Sequence, residues 1–90
     1  MDFYSLTNYN ESHLLVKAEE VFGYGEYIES WISERDYVKL YAYSDFYVEI
    51  IYDHATFSIS DIKGLSIDQA VHKYVSITEF HNEMNGISFP

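Results

Sequence analysis

Hydrophobic residues between Glu11 and Asp36 recur at steps of three and four, the spacing that places side chains on one face of an α-helix. The positions on that face are Leu14, Ala18, Val21, Gly25, Ile28 and Ile32. The spacing predicts one long amphipathic helix with Asn10 as its N-cap. Each glycine weakens a helix by about 1 kcal/mol relative to alanine, so a break at Gly23–Gly25 is the alternative. On the buried face, Gly25 would allow another element to pack closely.

Apolar and polar residues alternate after this segment, which predicts three strands at roughly residues 37–42, 46–52 and 55–61. A three-residue turn at 43–45 pairs Leu40 with Val48 and places Tyr41 opposite Tyr47 on the outer face. A two-residue turn would instead set the tyrosines of the first strand against the apolar residues of the second, so we favour the longer turn. The predicted buried face carries Val38, Leu40, Val48, Ile50, Phe57 and Ile59.

A second helix is predicted to begin at Ile67. Ser66 followed by Gln69 three residues later forms a capping box, which is a sequence signal for a helix N-terminus. The helix ends either at Asn85-Gly86 or earlier, near Thr78, where β-branched residues weaken it.

These elements predict an α+β fold of a single domain, residues 1–90, in the order α-β-β-β-α. The expected architecture is a two-layer sandwich, in which a three-stranded antiparallel meander has both helices on one face.

The net charge of the chain indicates which classes of molecule it can bind. Fifteen acidic residues against five basic ones give a formal net charge of −10. Nucleic acid and anionic lipid both need Lys and Arg for binding, so neither is expected as a direct partner, whereas a basic protein is attracted. Without cysteine there are no disulfides or thiolate metal sites. The first residues lack the pattern of a secretion signal, and cytoplasmic localisation is expected.

Two candidate binding surfaces follow from the predicted fold. The first is the outward side of the long helix, where Glu19 and Glu26 would lie roughly 10 Å apart, the spacing scale of a phosphate backbone. Its full set is Glu19, Glu20, Glu26, Glu34 and Asp36. The second is the open face of the sheet, with Tyr41 and Tyr47 as aromatic anchors, because tyrosine is enriched at interfaces.

Catalytic and metal-binding chemistry is weakly represented. Asp68 and His72 share one side of the second helix, and Glu79 and Glu83 join them if that helix is continuous. Two ligands without a third do not form a metal site, so a local charge pair is the simpler interpretation. The chain has no nucleophile elbow and no histidine with an evident nucleophile partner. We therefore predict no catalytic residue, metal or cofactor, and a protein that is not an enzyme.

In size, acidity, lack of cysteine and compact α+β organisation, the chain resembles two broad groups, phage-encoded inhibitors of host defence such as anti-CRISPR proteins, and the immunity partners of bacterial toxins. The resemblance is one of composition and implies no site residue. The predicted function is that of an inhibitor that blocks a basic, nucleic-acid-handling partner, a nuclease or CRISPR effector, by phosphate mimicry. The alternatives are an immunity protein and a self-associating homodimer that uses the tyrosine face or an exposed edge strand.

Overall fold

The computed structural model describes residues 5–32 and 35–74. Its strands form one antiparallel sheet in the order β1-β2-β3-β4, which confirms the α+β class but contains four strands where three were predicted. The elements in chain order are α1 (Leu6–Glu11), α2 (Leu14–Tyr24), β1 (Glu26–Ile32), β2 (Asp36–Tyr43), β3 (Phe46–Asp53), β4 (Ile59–Leu65) and α3 (Ile67–Lys73).

The predicted long helix is wrong beyond Tyr24, where the alternative of a break at the glycines is confirmed. Gly25 is extended, with φ −83° and ψ 162°, and its N–H donates to the Val21 carbonyl to close α2. A Cβ on Gly25 would lie 2.5 Å from that carbonyl oxygen and 3.4 Å from the carbonyl oxygen of Ala42 on β2. Glycine therefore allows the chain to turn sharply from helix into strand, and residues 26–32 pair with β2.

The start of the helical region also differs from the prediction. Ser5 is the N-cap of α1 and its hydroxyl accepts from the Asn8 N–H at 3.2 Å. Asn10 therefore lies inside α1, where its side chain bonds to Gly64 on β4.

The predicted register of the first hairpin is wrong. Tyr43 pairs with Phe46 across a two-residue turn, and Tyr41 lies opposite Val48. Ser44, the first residue of this turn, has φ 56°, as the primed hairpin turns require. The prediction assumed that only one face of the sheet is apolar. Because β3 is buried continuously from residue 46 to residue 50, alternation does not distinguish the two registers.

The last predicted strand is displaced along the chain, from 55–61 to Ile59–Leu65. A longer turn follows β3, in which the Asp53 N–H donates to the Ser58 carbonyl at 2.9 Å. Ile50 consequently pairs with Ile62, and Phe57, which was predicted to be buried, is exposed on the turn.

Both faces of the sheet are covered, so the prediction of two helices on one face is wrong. Helices α1 and α2 pack against one face, called face A, through Tyr9 and Val21. Helix α3 packs against the other, face B, through Ala70. The buried strand residues of face A are Tyr43, Phe46, Val48, Ile50 and Ile62, and those of face B are Leu40, Tyr47, Glu49 and Leu65.

The predicted start of α3 is confirmed. The Ser66 hydroxyl accepts from the Gln69 N–H at 3.1 Å, and the Gln69 side chain accepts from the Ser66 N–H at 2.9 Å. The predicted continuation of this helix beyond Lys73 lies outside the described residues.

Candidate partner-binding surfaces

The acidic residues chosen from the sequence do not share one helix. Glu19 is exposed on α2, Glu26 is exposed at the start of β1, and Asp36 begins β2. Glu20 is half-buried and accepts a hydrogen bond of 2.6 Å from the Tyr43 hydroxyl, so it also holds α2 on the sheet. Glu34 lies outside the described residues. The spacing of roughly 10 Å argued for Glu19 and Glu26 assumed a continuous helix, and that assumption is wrong.

The two predicted aromatic anchors lie on opposite faces. Tyr47 is 4% exposed and belongs to the face B core, so it has no surface for a partner to contact. Burial raises the pKa of its phenol. Tyr41 is half-buried on face A, beside Phe22 of α2 and Tyr27 of β1. The predicted Tyr41–Tyr47 pair depended on the wrong register.

An aromatic strip runs across the part of face A near β1 and β2. Tyr41 contacts Phe22 and Tyr27 edge-to-face, with ring centroids 6.1 Å and 5.7 Å apart. Tyr37 contacts Tyr52 at 5.7 Å and Phe57 at 5.9 Å. Phe22, Tyr27 and Phe57 are each more than half exposed. Exposed aromatic area of this kind is typical of an interaction surface.

One lysine lies within the strip. Lys39 Nζ is 5.8 Å from the ring centre of Tyr37 and 5.6 Å from that of Tyr52, within the range of cation–π attraction. Burial raises the pKa of Tyr41, Lys39 lowers it, and the neighbouring tyrosines raise it further. The strip therefore combines aromatic rings with one basic side chain, that of Lys39.

Phe57 adopts a strained backbone at the end of this strip. Its φ is 60°, a region that bulky residues rarely occupy, and its side chain is 61% exposed. Comparing Phe57→Gly with Phe57→Ala isolates the backbone cost, since both remove the ring. We expect the glycine variant to be more stable by about 1 kcal/mol in urea unfolding. Equal stability of the two variants would show that the turn is relaxed.

The basic side chains are largely used inside the fold. Lys17 Nζ donates to the Ile62 carbonyl at 2.9 Å, Lys39 lies over two tyrosine rings, and Lys73 Nζ lies 2.7 Å from a carboxylate oxygen of Glu49. Of these three, only Lys73 neutralises a carboxylate by direct contact. Exposed acidic residues of the described chain include Glu11, Glu19, Glu26, Asp45, Asp53, Asp61 and Asp68. The surface is consequently strongly negative.

A buried carboxylate lies beneath α3. Glu49 on face B is 1% exposed, and its Oε2 accepts from the Tyr74 hydroxyl as well as from Lys73. Trp31 of β1 stacks on the Tyr74 ring, with centroids 4.5 Å apart. Oε1 has no hydrogen-bond partner among the described residues. Sequence reasoning missed this cluster, because the predicted register placed the Glu49 side chain on the face exposed to solvent.

Asp53 and the Asp68–His72 pair have local structural roles. Asp53 Oδ1 accepts from the Ala55 N–H at 2.8 Å and so stabilises the turn after β3. Asp68 and His72 are both exposed, and Nδ1 of His72 lies 2.7 Å from the backbone carbonyl oxygen of Asp68 and 4.0 Å from its Oδ1. In residues 5–32 and 35–74, no three His, Cys, Asp or Glu side chains come together as metal ligands. In the same part of the chain, no helix is long and apolar enough to cross a membrane.

Comparison with known proteins gives no assignment: no family, no curated protein and no solved structure matches the chain.

Proposed function

We propose that this chain is a small acidic binding protein that inhibits a basic, nucleic-acid-handling partner. The observation that supports this best is the imbalance of charge: a net charge of −10, with three of the five basic side chains engaged within the fold. A negative surface accelerates encounter with a basic protein and repels competing anions.

The carboxylates occupy the partner's nucleic-acid site, because the same Lys and Arg side chains that bind phosphates also bind carboxylates. The aromatic strip supplies the apolar contact that charge alone lacks, with Tyr41 and Tyr27 as anchors. Tyr47 has no part in this contact, since it is buried.

The experiment is capture of the partner on immobilised protein at low salt, followed by competition. We expect a basic partner that nucleic acid displaces, with affinity that falls as salt rises. A stable ternary complex with nucleic acid, or an affinity indifferent to salt, would contradict the proposal. The identity of the partner distinguishes an immunity protein from an inhibitor of host defence. A toxin as partner indicates the first, and a defence nuclease indicates the second.

Matched charge reversals locate the contact. Glu19→Lys with Glu26→Lys should lower the association rate about tenfold, since steering depends on charge near the interface. Asp45→Lys with Asp68→Lys is the control, because it changes the net charge equally at the exposed residues near the start of α3. Equal effects of the two pairs would mean that total charge, rather than this surface, determines binding.

A further inference from the structure

The two edges of the sheet differ in how their backbone groups are used. At β4, side chains bond to the groups that point away from β3. The Asn10 amide accepts from the Gly64 N–H at 2.6 Å and donates to the Gly64 carbonyl at 3.2 Å. Lys17 donates to the Ile62 carbonyl, and Asp61 accepts from the Ile62 N–H at 2.9 Å. Four outward groups of this edge are therefore satisfied, and another strand cannot add to them.

The opposite edge, β1, has no such cover within the described residues. The two-residue turn closes on a hydrogen-bonded Tyr43–Phe46 pair, so alternate residues of β2 from Ala42 onward direct their backbone groups to β1. Their partners on β1 include Glu26 and Trp31. Because the register of β1 shifts by one residue between Tyr27 and Glu29, the backbone groups of Tyr27, Ser30 and Ile32 then point away from the sheet. Among residues 5–32 and 35–74, no hydrogen bond is made to them.

We propose that β1 is a docking edge for an extended segment of a basic partner, which adds to the sheet as a fifth strand. Such β-augmentation takes its affinity from main-chain hydrogen bonds and its specificity from alternate side chains. This inference rests on the proposed function and specifies how the partner is held.

The side chains of β1 define the chemistry of that segment. On face A, Tyr27 and Ile32 are 52% and 69% exposed, next to the aromatic strip. On face B, Ile28 and Trp31 are half-buried against the core, and the charged side chains are Glu26 and Glu29, opposite Ala42 and Leu40. A strand laid alongside therefore meets apolar surface on one side and carboxylates on the other. It should alternate apolar residues with Lys or Arg.

A second copy of the chain fits this edge poorly. Two β1 strands paired antiparallel would place four carboxylates, Glu26 and Glu29 of each chain, on one face of the joined edge. They would also join two molecules of net charge −10. Acidic side chains on an edge strand disfavour self-pairing and leave a basic strand as the favoured occupant.

The test uses a peptide of alternating valine and lysine, as long as β1, titrated into the full chain while the amide resonances of Tyr27, Ser30 and Ile32 are followed. The controls are a valine–glutamate peptide and a peptide with the same lysines clustered at one end. Ser30→Pro removes an outward N–H, and Ser30→Ala retains it. We expect Ser30→Pro to weaken binding of the valine–lysine peptide about tenfold, while Ser30→Ala leaves it unchanged.

Glu29→Lys provides a second variant in case Ser30→Pro fails to fold. It should lower affinity for the lysine peptide and raise affinity for the glutamate peptide. The inference is overturned if Ser30→Pro binds the lysine peptide as well as the wild type does, if the clustered peptide binds equally, or if neither alternating peptide binds. Self-association of the wild type that Ser30→Pro removes would assign the edge to a second copy instead.

The captured partner separates this inference from the proposed function. A partner that nucleic acid displaces, and that binds wild type and Ser30→Pro equally, would leave the function standing and remove the docking edge. A partner that nucleic acid does not displace, but that Ser30→Pro no longer binds, would support the docking edge and contradict the proposed function.

Discussion

Replacing Lys73 with alanine is expected to destabilise the fold by about 3 kcal/mol, because it leaves the buried Glu49 carboxylate without its countercharge. The Tyr74 hydroxyl remains as a donor, but it is neutral, and the second carboxylate oxygen already lacks a partner among the described residues. Lys73 itself is about half exposed, so its own loss removes little buried surface. The effect therefore measures the cost of an unpaired buried charge. Urea unfolding at neutral pH gives the change.

Lys63→Ala is the matched control for this substitution. Lys63 lies opposite Glu49 on β4, but it is exposed and makes no ion pair within the described residues. A change within about 0.5 kcal/mol is expected for it. Glu49→Met, which removes the charge itself, should be neutral or stabilising, since an apolar side chain of similar volume needs no countercharge. A Lys73→Ala variant as stable as Lys63→Ala would show that water reaches the carboxylate.

The parts of the fold that were predictable from sequence depend on local interactions. Ser66 and Gln69 cap α3 through bonds within four residues, so their spacing was sufficient. Gly25 could be identified as a site of close approach, but its role in ending α2 competed with a helical spacing that continues to Ile32. Residues 26–32 form a strand because they pair with β2, and this pairing involves residues distant in sequence.

The register prediction was also wrong because of contacts between residues distant in sequence. Alternation determines a register only when one face is buried, and here α3 covers the side of β3 that was predicted to be open. Because both faces are apolar, the length of the turn determines the register. The two-residue turn needs a positive φ at Ser44, and serine is only a weak sequence signal for that conformation. Tyr47 and Glu49, adjacent in register on face B, were consequently placed in solvent when they are buried.

The candidate binding surfaces were likewise only partly predictable from sequence. Net charge is additive over the sequence, so the acidic character was predictable without a fold. The arrangement of the acidic residues was not, because it required the helix at residues 26–32 that does not form. The open β1 edge could not be found from sequence, since it exists only once β1 is recognised as a strand and Asn10 and Lys17 are seen to occupy the other edge.

Tyr9→Ala is expected to have the largest effect on stability, about 4 kcal/mol. Tyr9 is fully buried between the sheet and α2, and its ring lies 5.3 Å from that of Tyr43 and 5.5 Å from that of Phe46. Its hydroxyl donates to the Lys17 carbonyl at 2.7 Å, which ties α1 to α2. Because α1 also carries Asn10, a loosened α1 exposes the β4 edge, and aggregation should rise along with the loss of stability. Urea unfolding and light scattering measure the two effects.

Tyr9→Phe separates the hydroxyl from the ring and makes a prediction for alkaline pH. At neutral pH it should cost about 1 kcal/mol, the net value of one hydrogen bond. Burial, followed by the neighbouring Tyr43 and Glu20, raises the pKa of Tyr9 well above its ordinary value of 10.0. The unfolded chain therefore releases this proton at lower pH than the folded chain does, and stability that is complete below pH 10.0 falls as pH rises above it. Phenylalanine cannot ionise, so the stability of Tyr9→Phe should decline less steeply above pH 10.0 than that of the wild type, and the two curves should converge. Parallel curves through this range would mean that the Tyr9 phenol ionises as readily in the folded chain as in the unfolded one, in conflict with its burial.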